Sequence, residues 1–134
     1  MATDNLGTSA VIESWNAAAD LSSAQYKFVE LGSTGVTVCN AATDNPVGIL
    51  QNAPKSGEVA TVLVAGKSKV QADAALAIGD RIGPSADGQA DVKLVGTDVT
   101  EYIVGFVTSA ASNAGELATV IVNCIAPGRA VTGN

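Results

Sequence analysis

A phrase written twice constrains this chain more than anything else in it. Val47-Gly48-Ile49-Leu50, a short polar loop and Gly57-Glu58-Val59-Ala60-Thr61-Val62-Leu63-Val64 return as Val104-Gly105-Phe106-Val107, a loop of small residues and Gly115-Glu116-Leu117-Ala118-Thr119-Val120-Ile121-Val122. Each copy reads as a β-hairpin: a Gly-containing strand, a turn closed by Gly-Glu, and a strand of Val, Ile, Leu and Thr. A half-buried antiparallel strand alternates apolar and polar residues. Here Ala60, Val62 and Val64 line one face and Val59, Thr61 and Leu63 the other, and Leu117–Val122 repeats the arrangement. Both faces are largely apolar, so both need cover. One can pack on the core of the domain and the other on a neighbouring element or subunit.

A chain of 134 residues makes one domain, burying roughly two-thirds of the surface exposed when unfolded. Apolar residues are 47% of it but aromatics only 4%, so Ala and Val supply most of the core. Burial is worth roughly 25 cal/mol per Å², and a buried Ala therefore contributes little. A thin core of this kind gains from a partner that covers more of it, which predicts an oligomer.

The net charge of −6 comes with seven scattered basic residues, Lys67 and Lys69 being the close pair. Nucleic-acid binding needs clustered cations to displace counterions, and no direct nucleic-acid partner is expected. There is no apolar run long enough for a membrane span, and the first residues do not read as a secretory signal. Cys39 and Cys124 end β-like runs and are read as two buried reduced thiols in preference to a disulfide.

Along the chain, residues 1–24 read as an extended N-terminal arm, rich in Ser, Thr, Asn and Ala. Residues 25–125 read as a single β-rich body holding the two hairpins, 47–64 and 104–122. Residues 72–78 allow at most a short helical turn, and residues 126–134 read as a loose tail. The expected fold is all-β and mainly antiparallel, a small β-barrel or β-sandwich.

Reactive chemistry is missing from the pattern. No histidine occurs, which removes Ser-His-Asp and Cys-His pairs and every His-containing metal site. The acidic residues sit mostly in turns, beside Gly, Ser or Thr, as solvated carboxylates. Gly66-Lys67-Ser68 resembles the end of a phosphate-binding loop but lacks its first glycine, Thr61 standing there. Ser85-Ala86-Asp87-Gly88 lacks the first and last carboxylates of a calcium loop. Lys67-Ser68-Lys69 after a strand fits a lipoyl- or biotinyl-type carrier domain only loosely, and reads better as a solvent-facing pair on an edge strand. No catalytic residue, cofactor or metal is expected. Trp15, the one tryptophan, is either a core plug or an anchor in a partner's pocket, and the anchor is the preferred reading.

The run Ala19-Asp20-Leu21-Ser22-Ser23-Ala24-Gln25-Tyr26-Lys27-Phe28-Val29 resembles the start of capsid cement, or head decoration, proteins of tailed bacteriophages. Val47–Pro54, Gly57–Ala60, Val64–Val70, Ile78–Ile82, Ala86–Gly88 and Val104–Val107 follow in matching order. The resemblance implies a small β-rich homotrimer on the outer surface of a phage head, made in the host cytoplasm. Its partner would be the major capsid protein, whose subunits it would clamp, and an N-terminal arm would reach a neighbour. Val11, Ile12, Trp15 and Leu21 are the candidate contacts with capsid or neighbour. The rival reading is a tail- or surface-associated binding module, an adhesin or carbohydrate binder.

Overall fold

The structure, a computed structural model, describes residues 10–132. It is all-β and antiparallel, with no helix among the described residues. The strands are Val11–Asn16 (β1), Phe28–Gly32 (β2), Gly35–Val38 (β3), Gly48–Leu50 (β4), Val59–Gln71 (β5), Arg81–Pro84 (β6), Ala90–Val92 (β7), Tyr102–Ile103 (β8), Gly105–Ser109 (β9), Leu117–Asn123 (β10) and Gly128–Arg129 (β11). Nine of them form one sheet in the order β3-β2-β4-β5-β10-β9-β6-β7, with β1 also on β5, and the sheet curls into a half-barrel. β8 and β11 make a separate ribbon.

The repeated unit is far larger than a hairpin. β4 and β5 pair Ile49 with Leu63 and Leu50 with Val62. β9 and β10 pair Phe106 with Ile121 and Val107 with Val120, the same positions of the repeated phrase. Outside them, β2 meets β4 through Phe28–Ile49 and Val29–Gly48, and β6 meets β9 through Arg81–Phe106 and Ile82–Gly105. Even the long β5 is divided between the units. Its second half lies antiparallel to β10 with Gln71 opposite Leu117, as β1 lies antiparallel to its first half with Asn16 opposite Val59. The N–H of Ala17 donates to the Glu58 carbonyl and that of Ala72 to the Glu116 carbonyl, both at 2.9 Å. Two units, 11–64 and 66–123, therefore follow one plan.

The Val-Gly pair that opens each phrase has a steric cause. A Cβ on Gly48 would stand 2.3 Å from the Leu63 carbonyl oxygen, and one on Gly105 2.1 Å from that of Ile121. Only glycine lets the two strands close at that point.

Because side chains alternate across a strand, each unit has an inner and an outer face. The inner face of the first unit, Val29, Val36, Leu50, Ala60 and Val62, packs with Ala17, Leu21 and Ala24 in one core cluster. Its outer face, Phe28, Ile49 and Leu63, joins a second cluster with Val70, Ile82, Val107 and Val120 of the second unit. The first unit's sheet is thus covered on both sides within the chain.

Two segments differ from the sequence-based expectation, and a third, 72–78, keeps within it. Of the expected arm 1–24, residues 1–9 lie outside the described residues, while Val11–Asn16 is a largely exposed strand paired with β5 of its own chain and Leu21 is buried. Sequence pattern does not expose this, because β1 pairs with residues far along the chain. Residues 72–78 form no helical turn. The chain bends at Asp73 and Ala74 between the bridges Ala72–Ala90 and Leu76–Ala111, which place Ala72 and Leu76 in the core. The tail expected to be loose is pinned where β11 pairs with β8 and Ala130 is fully buried. The Ala130 N–H donates to the Glu101 carbonyl, and its own carbonyl accepts from Gly96.

Candidate assembly surfaces

One cross-strand row defines the outer face of each unit. In the first unit it runs Ile12–Leu63–Ile49–Phe28 across β1, β5, β4 and β2. In the second it runs Lys67–Ile121–Phe106–Arg81 across β5, β10, β9 and β6. The first row is buried at Leu63, Ile49 and Phe28 under the second unit. The second row has no such cover: Ile121 is 41% exposed and Lys67 and Arg81 are exposed. The Arg81 guanidinium lies 5.5 Å over the Phe106 ring, a cation–π contact that shields part of the apolar centre. Lys69 lies beside this row, opposite Thr119. No Asp or Glu lies on β6, β9, β10 or the second half of β5. In an acidic chain this face is basic with an apolar middle.

The four candidate contact residues fall into two pairs. Val11 and Ile12 are exposed on β1, at 42% and 52%. Trp15 is half-buried against the first unit's core cluster, and Leu21 is inside it. Both side chains turn toward that cluster because β1 and the following loop close the first unit's inner face, and Trp15 keeps part of its surface exposed. Lys67 and Lys69 are exposed as expected, but on a strand paired with β10 rather than on an edge. They border a groove with a cavity volume of about 570 Å³, lined also by Tyr26, Gln51, Thr108 and Thr119.

Two polar clusters lie elsewhere. Lys93 is buried and donates to the Pro84 carbonyl at 2.7 Å and to Glu101, with Asp91 at 3.8 Å. It occupies the place in the second unit that Cys39 has in the first: its N–H donates to the Arg81 carbonyl as that of Cys39 donates to Phe28. Sequence reasoning missed this amine, since its partner Glu101 stands in a loop. Glu30, Cys39 and Asp44 bring their ligand atoms within 4.8 Å of one another. Burial first, then the carboxylates of Glu30 and Asp44, hold the Cys39 thiol far above its ordinary range. The Asp44 carboxylate already accepts the N–H groups of Asn40 and Ala41. Both bonds go to one oxygen, Oδ2, and tie the 40–44 loop. Cys39 and Cys124 are both buried free thiols.

The chain matches no protein-family model and no curated protein sequence. Among solved structures it is similar to the crystal structure of the head fiber gp8.5 N base in bacteriophage phi29. The TM-score is 0.62 at 18% identity, over 85% of this chain and 94% of that one. At this identity the likeness is one of fold.

Proposed function

We propose that this protein is a structural component of a phage virion, attached to the outer surface of the head. The observation that carries the reading is the shared fold with the head fiber base, which spans nearly the whole of both chains. The ordered cement-protein phrases of the sequence support the same class. The finer reading is a homotrimer that binds the major capsid protein and stabilises contacts between its subunits. An uncovered basic and apolar face, and the exposed apolar pair Val11 and Ile12 on β1, are the surfaces suited to it. Neighbouring copies on one particle would turn modest contacts into firm retention, because each further contact is intramolecular.

Co-sedimentation of purified protein with expanded heads that lack it tests the reading. Saturable binding, and heads that resist a higher temperature once decorated, are expected. Protein that stays in the supernatant at micromolar concentration overturns it.

A further inference from the structure

The two units differ in charge at one corresponding place. Val29 pairs with Val38 in the first unit as Ile82 pairs with Val92 in the second. That register sets Glu30 against Gly83, Cys39 against Lys93 and Asp44 against Asp98. The match holds in detail: Asp44 Oδ2 accepts the Asn40 N–H at 2.9 Å, and Asp98 Oδ2 accepts the Leu94 N–H at 2.7 Å. A Cβ on Gly83 would stand 2.1 Å from the Tyr102 carbonyl oxygen and 3.0 Å from Lys93 Cε, so the space that Glu30 uses in the first unit is filled there. The second unit thus has a buried ammonium beside the carboxylates of Glu101 and Asp91. The first unit has a thiol and two carboxylates, their ligand atoms within 4.8 Å of one another. Neither of those carboxylates is ion-paired with a Lys or Arg among the described residues.

We infer that Glu30, Cys39 and Asp44 form a binding site for Zn²⁺, which holds the carboxylates of the first unit as the Lys93 ammonium holds those of the second. The site lies within one chain and does not depend on the head-attachment reading.

The donor set selects the ion. Cys39 is fully buried, its sulfur is turned to both carboxylates, and its S–H donates to no group among the described residues. Both loop N–H groups bond to Asp44 Oδ2, which leaves Oδ1 for the ion. Glu30 and Asp44 share a hydrogen bond that needs a proton on Glu30. Zn²⁺ replaces that proton and the thiol proton, and both leave to water. A thiolate, two carboxylate oxygens and a water complete the tetrahedral set of zinc, with Zn–S of about 2.3 Å and Zn–O of about 2.1 Å. Calcium and magnesium take oxygen ligands and gain nothing from the sulfur. The carboxylates of Glu30 and Asp44 are half-buried, so they have room to rotate onto the ion and give it a way in from solvent.

The ligands come from β2, the end of β3 and the loop before β4, so the ion ties that loop to the sheet. It also braces the junction of the units. A Cβ on Gly88, in the β6–β7 turn, would stand 2.4 Å from Val38 Cγ1 and 3.3 Å from the Cys39 carbonyl oxygen. An ion bound there stabilises the folded chain by mass action.

The test strips the full-length protein with a chelator, titrates it with Zn²⁺ by calorimetry and uses Co²⁺ as an optical probe. A single Zn²⁺ should bind and raise the thermal unfolding midpoint. Co²⁺ should give a near-ultraviolet thiolate charge-transfer band that Cys39→Ser loses. Glu30→Gln should weaken Zn²⁺ about a hundredfold, since losing even an outer partner of a metal ligand costs about ten- to a hundredfold. Cys39 lies in the core, so Glu30→Gln decides the matter should Cys39→Ser not fold: wild-type affinity in that variant overturns the inference. So does wild-type protein with no saturable Zn²⁺ binding. Co²⁺ bound without the band, or with a band that Cys39→Ser keeps, also overturns it, because the ion is then held elsewhere.

Discussion

Tyr26 and Gly79 hold the same left-handed backbone at corresponding points of the two units, with φ of 66° and 91°. Each precedes the strand that meets the repeated Val-Gly phrase. A residue with a Cβ pays about 1–2 kcal/mol in this region. A Cβ on Gly79 would meet nothing within 4 Å, so the cost there is conformational and not steric. Gly79→Ala should lower unfolding free energy by about 1 kcal/mol, read from urea denaturation. A variant as stable as wild type would show that the chain can leave this conformation freely.

The contrast between these two residues shows what was legible in the sequence. The hairpins were, because Val47–Val64 and Val104–Val122 keep both their strand period and their turn glycines. The rest of the duplication was not. Ala17 and Leu21 correspond to Ala72 and Leu76, but little around them agrees, since a site under cover and a site in water accept different side chains. Phe28 has become Arg81, Leu63 has become Ile121, and Ile12 stands where Lys67 does. β1 therefore read as an arm when it is the opening strand of a unit. Its partner, the first half of β5, lies far along the chain, and local periodicity carries no information about such pairings. The apolar residues on both faces of Val59–Val64 did point to both-sided burial, and the first unit meets that need internally.

Lys93 gives the sharpest test of what a buried charge contributes. Its ammonium is fully buried, whereas the side chains of Glu101 and Asp91 are 20% and 39% exposed. Removing the anion strands the cation, and Glu101→Gln should cost about 3 kcal/mol. Lys93→Met removes the cation itself and leaves two carboxylates that reach water, for a cost of about 1 kcal/mol. Equilibrium unfolding of the two variants measures the order. If Lys93→Met is the more damaging, the amine acts chiefly through its bonds to Pro84 and Glu101, not as a charge in need of a partner.

The thiols should be inert in the native protein. Burial pushes Cys124 up to about 12 and raises Cys39 still further, with Glu30 and Asp44 adding to the effect. The thiolate is the reacting form, so at pH 8 an aromatic disulfide reagent should find no fast thiol. In denaturant it should find both. Rapid modification of the folded protein would mean that the core around Cys39 or Cys124 opens readily.

Glu30 predicts the direction of a pH effect. Burial, then the hydrogen bond and charge of Asp44, hold its carboxyl above its ordinary value of 4.5. A group whose pKa is higher in the folded state binds its proton more tightly there. Its stabilising contribution is complete below the unfolded value and is lost as pH rises through the folded one. Ionised Glu30 thus opposes folding at neutral pH, where it faces Asp44. Glu30→Gln removes that repulsion and keeps a side chain able to donate to the Asp44 carboxylate. The variant should be more stable than wild type at pH 7, and its advantage should shrink as pH falls toward 4.5, the range where wild-type Glu30 regains its proton. Asp20 and Glu116 are shifted the opposite way, held down by hydrogen bonds from Ser22 and from Asn113 and Ser112. They act equally in both proteins, so the difference between variant and wild type isolates Glu30. Thermal unfolding of the pair from pH 4 to 7 reads it directly. A difference that does not change with pH would show that Glu30 and Asp44 do not share a proton in the folded chain.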